Sequence, residues 1–179
     1  MSSSNAVVRV LAALLLAATA AGCGFRPLYG SGESDPGAGA DLASVAVVSI
    51  PDRIGQELRF HLVELLTPGG APAEPAYILR VGLSETFSDF AVDSSGIATR
   101  ANLRVDARFS LIRDKDREIV AAGDSVAVSS YNLVANQYAN LAALDDARTR
   151  ALLQIARQIR LRLGSFFAQR DLAGTDTPR

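Results

Sequence analysis

Few residues in this chain can do chemistry, and the first is a single cysteine. Cys23 follows Ala20-Ala21-Gly22 and precedes Gly24-Phe25-Arg26-Pro27-Leu28-Tyr29-Gly30. With one cysteine, no disulfide can close within the chain. Small residues directly before a cysteine suit the cleft of a lipoprotein signal peptidase, and Cys23 can then supply the thiolate that takes a diacylglycerol. Upstream, Arg9 is followed by an uncharged run from Val10 to Ala21. A basic-then-apolar leader ending in small residues reads as a secretory signal, because it is too short to span a bilayer. The spacing suits a bacterial lipobox, although that motif usually carries Leu where this chain has Ala20. The expectation is cleavage before Cys23, with Cys23 lipidated. An ordinary buried thiol and an uncleaved anchor are the alternatives.

The second group is a row of arginines. Arg100, Arg104 and Arg108 recur every four residues in the most regularly alternating stretch of the chain. In a strand they would point the same way at intervals of about 13 Å. One reading is a solvated face balanced by Asp106. The other is a surface that meets anionic phosphates or carboxylates, whose geometry the planar guanidinium fork matches.

No catalytic constellation assembles from what remains. His61 is the only histidine and sits beside Leu62 on an expected helix, as a core-edge residue does. Asp145-Asp146 lie near an expected helix start, where the helix dipole accounts for them. Metal-ligand spacings and glycine-rich nucleotide motifs are absent from the sequence. The chain therefore reads as a non-enzyme with no metal and no cofactor beyond the covalent acyl and diacylglycerol groups on Cys23. A lipid-anchored enzyme using Ser, Asp or Tyr residues brought together by the fold stays open as another class.

The elements that must position these residues follow from composition and period. Of 179 residues, 18 are basic and 19 acidic; removing the leader takes Arg9 alone, leaving a net charge of about −2. A near-neutral balance gives no argument for nucleic acid. Residues 1–22 read as the signal peptide, and 23–41, rich in Gly, Ser, Asp and Pro, as a flexible tether. Residues 42–168 are long enough for one domain with a sizeable core, and 169–179 read as a frayed tail. Ala43 to Ile50 is β-branched and reads as a buried strand. Pro51-Asp52 opens an amphipathic helix carrying Ile54, Leu58, Leu62, Leu65 and Leu66, closed by Thr67-Pro68-Gly69-Gly70.

Residues 76 to about 90 alternate as a second strand whose phase blurs after Ser84, where a bulge or twist is expected. Asp93 to Gly96 is a turn. Ile97 to Leu111 is a third strand, and residues 118–130 form a fourth after the charged turn at 113–117. From about Asn140 the period becomes helical, with Leu141, Leu144, Ala151, Leu152, Ile155, Ile159, Leu163 and Phe166 in one stripe. The order β-α-β-β-β-α predicts an α+β two-layer sandwich: a four-stranded mixed sheet with both helices on one face. The other face would be bare, polar and arginine-bearing.

Cys23 to Gly30, read as CGFRPLYG, resembles the N-terminus of the LptE family of lipopolysaccharide-assembly lipoproteins of Gram-negative bacteria. Supporting similarities are Ile50-Pro51-Asp52-Arg53-Ile54-Gly55-Gln56-Glu57-Leu58 and Ala98-Thr99-Arg100-Ala101-Asn102-Leu103. Ser130-Tyr131-Asn132, Gln137-Tyr138-Ala139 and Asp146-Ala147-Arg148 look like that family's join into its last helix. The resemblance implies two helices on a four-stranded sheet. It further implies a lipid-anchored outer-membrane protein that plugs the β-barrel LptD, helps it assemble and meets lipopolysaccharide in transit. On that reading Arg100, Arg104 and Arg108 would face lipopolysaccharide. A generic lipoprotein adaptor of another envelope complex is the alternative.

Overall fold

Strict alternation along the third strand sets the layering. The computed structural model describes residues 38–92 and 98–175. Its elements run α1 (Ala38–Ala43), β1 (Val45–Val47), α2 (Asp52–Leu66), β2 (Tyr77–Val92), β3 (Ala98–Arg113), β4 (Ile119–Asn132) and α3 (Gln137–Thr175). The four strands form one sheet in the order β1-β2-β3-β4. β1 is parallel to β2, as a strand–helix–strand unit requires, and the two later pairings are antiparallel. The predicted α+β sandwich is the observed fold.

On β3, Leu103, Val105, Ala107, Phe109 and Leu111 are buried, while Arg100, Arg104 and Arg108 between them are exposed. The buried side packs into one core with Leu58, Leu62 and Leu66 of α2 and with Leu152, Ile155, Ile159, Leu163 and Phe167 of α3. Both long helices thus lie on the same face of the sheet. Fully burying one Leu or Ile contributes about 1.5–3 kcal/mol, so packing rather than helix propensity holds α3 in place.

The entry to α2 is tighter than its sequence suggests. An added Cβ on Gly55 would stand 2.7 Å from Ile50 Cγ2, so only glycine lets Ile50 seat against the helix. Gln56 reaches back and donates to the Ile50 carbonyl at 2.6 Å. The family-like stretch from Ile50 to Leu58 is therefore a packing device.

Several boundaries differ from the expectation. The strand expected over 43–50 is confined to Val45–Val47, because α1 occupies the residues before it. Residues 38–41 of that helix lie within the stretch read as tether, and Leu42, the first residue after it, is 3% exposed. α3 starts at Gln137 rather than near Asn140, because the Asn136 side chain accepts from the Tyr138 and Ala139 amides as an N-cap does. At its far end α3 continues to Thr175, so most of the stretch read as frayed tail is helical. The anchor there is Arg170, which donates to Asp41 at 2.6 Å and to the Tyr77 hydroxyl and lies over the Tyr77 and Phe167 rings. Within α3, Phe167 is fully buried and Phe166 only partly, while Leu141 is 56% exposed. The register shift in β2 lies at Asp89–Ala91, just past the point where the alternation blurs. The leader, Cys23 with residues 24–30, and the expected turn at 93–96 lie outside the described residues.

Candidate functional site: the uncovered sheet face

The face opposite the helices is built by the pleat from even-numbered residues of β2, β3 and β4. Register places Thr86, Arg104 and Val128 in one row across the sheet, Ser84, Asp106 and Val126 in the next, and Gly82, Arg108 and Asp124 after that. Among the described residues no helix packs on this side, and Arg104 and Arg108 keep 51% and 87% of their side chains exposed.

The three arginines picked from the sequence do share this face, but their partners differ. Arg104 grips Asp106, two residues along the same strand, through Nε at 2.9 Å and Nη2 at 2.6 Å. Those hydrogen bonds, with the attraction of the two charges behind them, hold the Asp106 carboxyl below the usual carboxylate range. Arg108 reaches across to β4 and donates from Nε to Asp124 at 3.0 Å. Arg100 has no hydrogen bond or ion pair among the described residues. The sequence reading foresaw Asp106 as a balancing charge and missed Asp124, whose place beside Arg108 depends on the β3–β4 register.

A fourth arginine was also missed. Arg80 belongs to this face because Tyr77, Leu79 and Val81 fill the other, and it likewise has no partner among the described residues. The alternation of β2 carried that signal. Arg80 and Arg108 border a shallow depression of about 560 Å³, whose floor is low because Gly82, Ser110 and Ala122 are small. Beyond Arg104, Ser130 donates to Asn102 at 2.6 Å, while Val126 and Val128 add an exposed apolar strip on β4. The arrangement can present cationic forks and hydroxyls to an anionic or heavily hydrated surface. It holds no paired carboxylates poised for acid–base work and no nucleophile beside a base.

The other sequence candidates fall elsewhere. His61 lies on α2 with both ring nitrogens buried and without hydrogen-bond partners, its ring edge-on to Phe60 at 5.8 Å. Asp145 and Asp146 lie well inside α3, not at its start, and serve as partners to Arg148 and Arg150. Arg148 is also tied to Glu85 of β2, a pair that alternation alone hides because Glu85 occupies a core-side position. Among the described residues no cluster of three His, Cys, Asp or Glu could hold a metal, and no helix is long and apolar enough to cross a membrane.

A family model described as LptE, lipopolysaccharide-assembly, matches residues 42–163. Comparison with curated protein sequences gives no match. Among solved structures, a lipoprotein from Caulobacter crescentus CB15 is similar at 29% identity and TM-score 0.61, over 73% of this chain and 96% of that one. Rare lipoprotein B from Shewanella oneidensis, at 12% identity and TM-score 0.56, covers 71% of this chain and 96% of its own. A minor lipoprotein from Acinetobacter baumannii, at 19% identity and TM-score 0.53, covers 69% and 92%. The latter two likenesses are of fold alone.

Proposed function

The chain belongs to the LptE family of lipopolysaccharide-assembly proteins, and from that premise we propose that it is a lipid-anchored outer-membrane lipoprotein acting with the barrel LptD. In this reading Cys23 carries the acyl and diacylglycerol groups, the folded domain plugs the barrel lumen from the periplasmic side, and the protein works by binding rather than catalysis.

The observation that carries the reading is the uncovered sheet face, where four arginines stand against two carboxylates, Asp106 paired with Arg104 and Asp124 with Arg108. The lumen of a wide barrel is polar and wet, so a plug must offer hydrogen-bonding surface there. Lipopolysaccharide in transit brings phosphates and carboxylates, and arginine forks are suited to both. Arg100 is the first contact because nothing competes for it; Arg104 and Arg108 join by exchanging Asp106 and Asp124 for the ligand. Both ion pairs are exposed and screened by solvent, so that exchange costs little.

The test is a tagged full chain recovered from detergent-solubilised outer membranes. The expected result is co-purification of the LptD barrel in fixed ratio. Recovery with a different envelope complex would make the protein an adaptor and overturn the plug assignment. Lipopolysaccharide binding is tested separately at low salt, where screening is least. Reversal of Arg100 and Arg104 to Glu should weaken it, and reversal of Arg157 on α3 should not.

A further inference from the structure

β4 is the last strand of the sheet, so among the described residues no strand pairs with its other side. The Leu133 amide donates to the Thr99 carbonyl, which assigns odd-numbered residues of β4 to the β3 ladder and turns even-numbered carbonyls outward. Such an edge is a template for another strand, and proteins usually blunt it with Lys, Pro or several charges. This one is not blunted: over Ile119–Asn132 it carries one charge, Asp124, with no proline and no lysine.

The outward carbonyls are instead met from α3. Arg150 donates to the Ser130 carbonyl at 3.2 Å, Gln158 to Val126 at 3.3 Å, and Arg162 to Asp124. These donors lie four or eight residues apart on the helix and their acceptors two or four apart on the strand. Four helical residues rise about 6 Å and two strand residues about 6.7 Å, so the rows stay in step while running in opposite directions. Gly123 makes room at the end of the row, since an added Cβ there would stand 2.9 Å from Arg162 Nη1 and 3.1 Å from Phe109 Cζ. We propose that this ridge of α3 guards the β4 edge, and that the strand it keeps out is β4 of a second copy of this chain. All three bonds are donated by the ridge, and none of them reaches the outward amides of the edge. A second β4, running antiparallel, would offer carbonyls to those amides along the same sparsely charged sequence.

The experiment uses the full chain in density-matched detergent, with mass measured by sedimentation equilibrium across a wide concentration range. Wild type and Arg157→Ala, an exposed change on the same helix, should stay monomeric. The triple variant Arg150→Ala/Gln158→Ala/Arg162→Ala should shift to twice the mass as concentration rises. Adding Val128→Pro to it should restore the monomer, because the Val128 amide faces outward and its loss spares the ladder with β3. A triple variant that stays monomeric overturns the proposal, and so does association that Val128→Pro leaves unchanged. Amide exchange on wild type tests the same edge without a substitution. The Asp124, Val126, Val128 and Ser130 amides should exchange faster than those of Ser125, Ala127 and Ser129, and equal protection would mean the edge is already paired.

Discussion

Glu85 stands where the alternation of β2 asks for an apolar side chain. Tyr77, Leu79, Val81 and Leu83 precede it on the same face. Arg148 of α3 answers it through Nε at 2.7 Å and Nη2 at 3.1 Å, with Asp145 accepting from Nη1 at 3.1 Å. The side chains are 20% and 14% exposed, and hydrogen bonding to Glu85 is the main reason the Arg148 guanidinium holds its proton more tightly than usual. Glu85→Ala removes both bonds and leaves a largely covered guanidinium with Asp145 alone. Breaking a fully buried pair costs about 3–5 kcal/mol; residual exposure and the remaining acid reduce that to about 2 kcal/mol here.

For a chain of this size that is a fall in Tm of about 6 °C. Urea unfolding of both single variants and of Glu85→Ala/Arg148→Ala closes the cycle, and the double variant should lose about 1–2 kcal/mol less than the sum. Glu85→Leu/Arg148→Met should return close to wild type, because apolar replacement of both partners removes the desolvation cost as well as the attraction. Additive losses, or a single loss below about 0.5 kcal/mol, would show that the pair does not tie α3 to β2.

Ile155 and Ile159 are fully buried, so changing either to Asp should abolish cooperative unfolding or lower Tm by more than Arg157→Asp does; equal melting curves would refute the packing of α3. Radiolabelled palmitate should enter wild type and be absent from Cys23→Ser, and equal labelling would remove the anchor. The depressed Asp106 carboxyl contributes stability present above its unfolded value of about 4 and lost as pH falls through its lower folded value. Its NMR titration midpoint should therefore rise towards the ordinary value in Arg104→Gln; an unmoved midpoint would dissolve the pairing.

Period made the sheet legible: β3 alternates without interruption, so its core residues and its arginine row could be named before any contact was known. Helical spacing likewise placed Leu58, Leu62, Ile155 and Ile159 correctly. Three things escaped because they depend on partners distant in sequence. The last turns of α3 are held by Arg170 against Tyr77 and Asp41, whereas hydropathy sees only a polar tail. Leu141 fits the stripe by phase yet lies 56% exposed, on the first turns of a helix that reaches the core from Leu144 onward. Asp124 beside Arg108 follows from a register that no local pattern encodes.

That hidden charge pairing changes what the arginine row can do. Removing Arg104 also uncovers Asp106, so Arg104→Gln places an unbalanced carboxylate in the middle of the face. An anionic ligand should bind more weakly for that reason alone, whether or not it ever touched Arg104. Arg104→Gln/Asp106→Asn separates the two causes, because it removes the exposed carboxylate together with the fork. If Arg104 is chiefly a mask for Asp106, lipopolysaccharide binding at low salt should recover to near wild type in the double variant. If Arg104 meets the ligand directly, the loss should persist in the double variant. Two of the five N–H donors of Arg104 lie on Asp106, at 2.9 and 2.6 Å, and the other three can meet the ligand, so the loss is expected to persist. Arg100, with no such partner, should lose binding on Arg100→Gln with no rescue from Asp106→Asn; rescue there would show that the face acts through its net charge and not through individual forks.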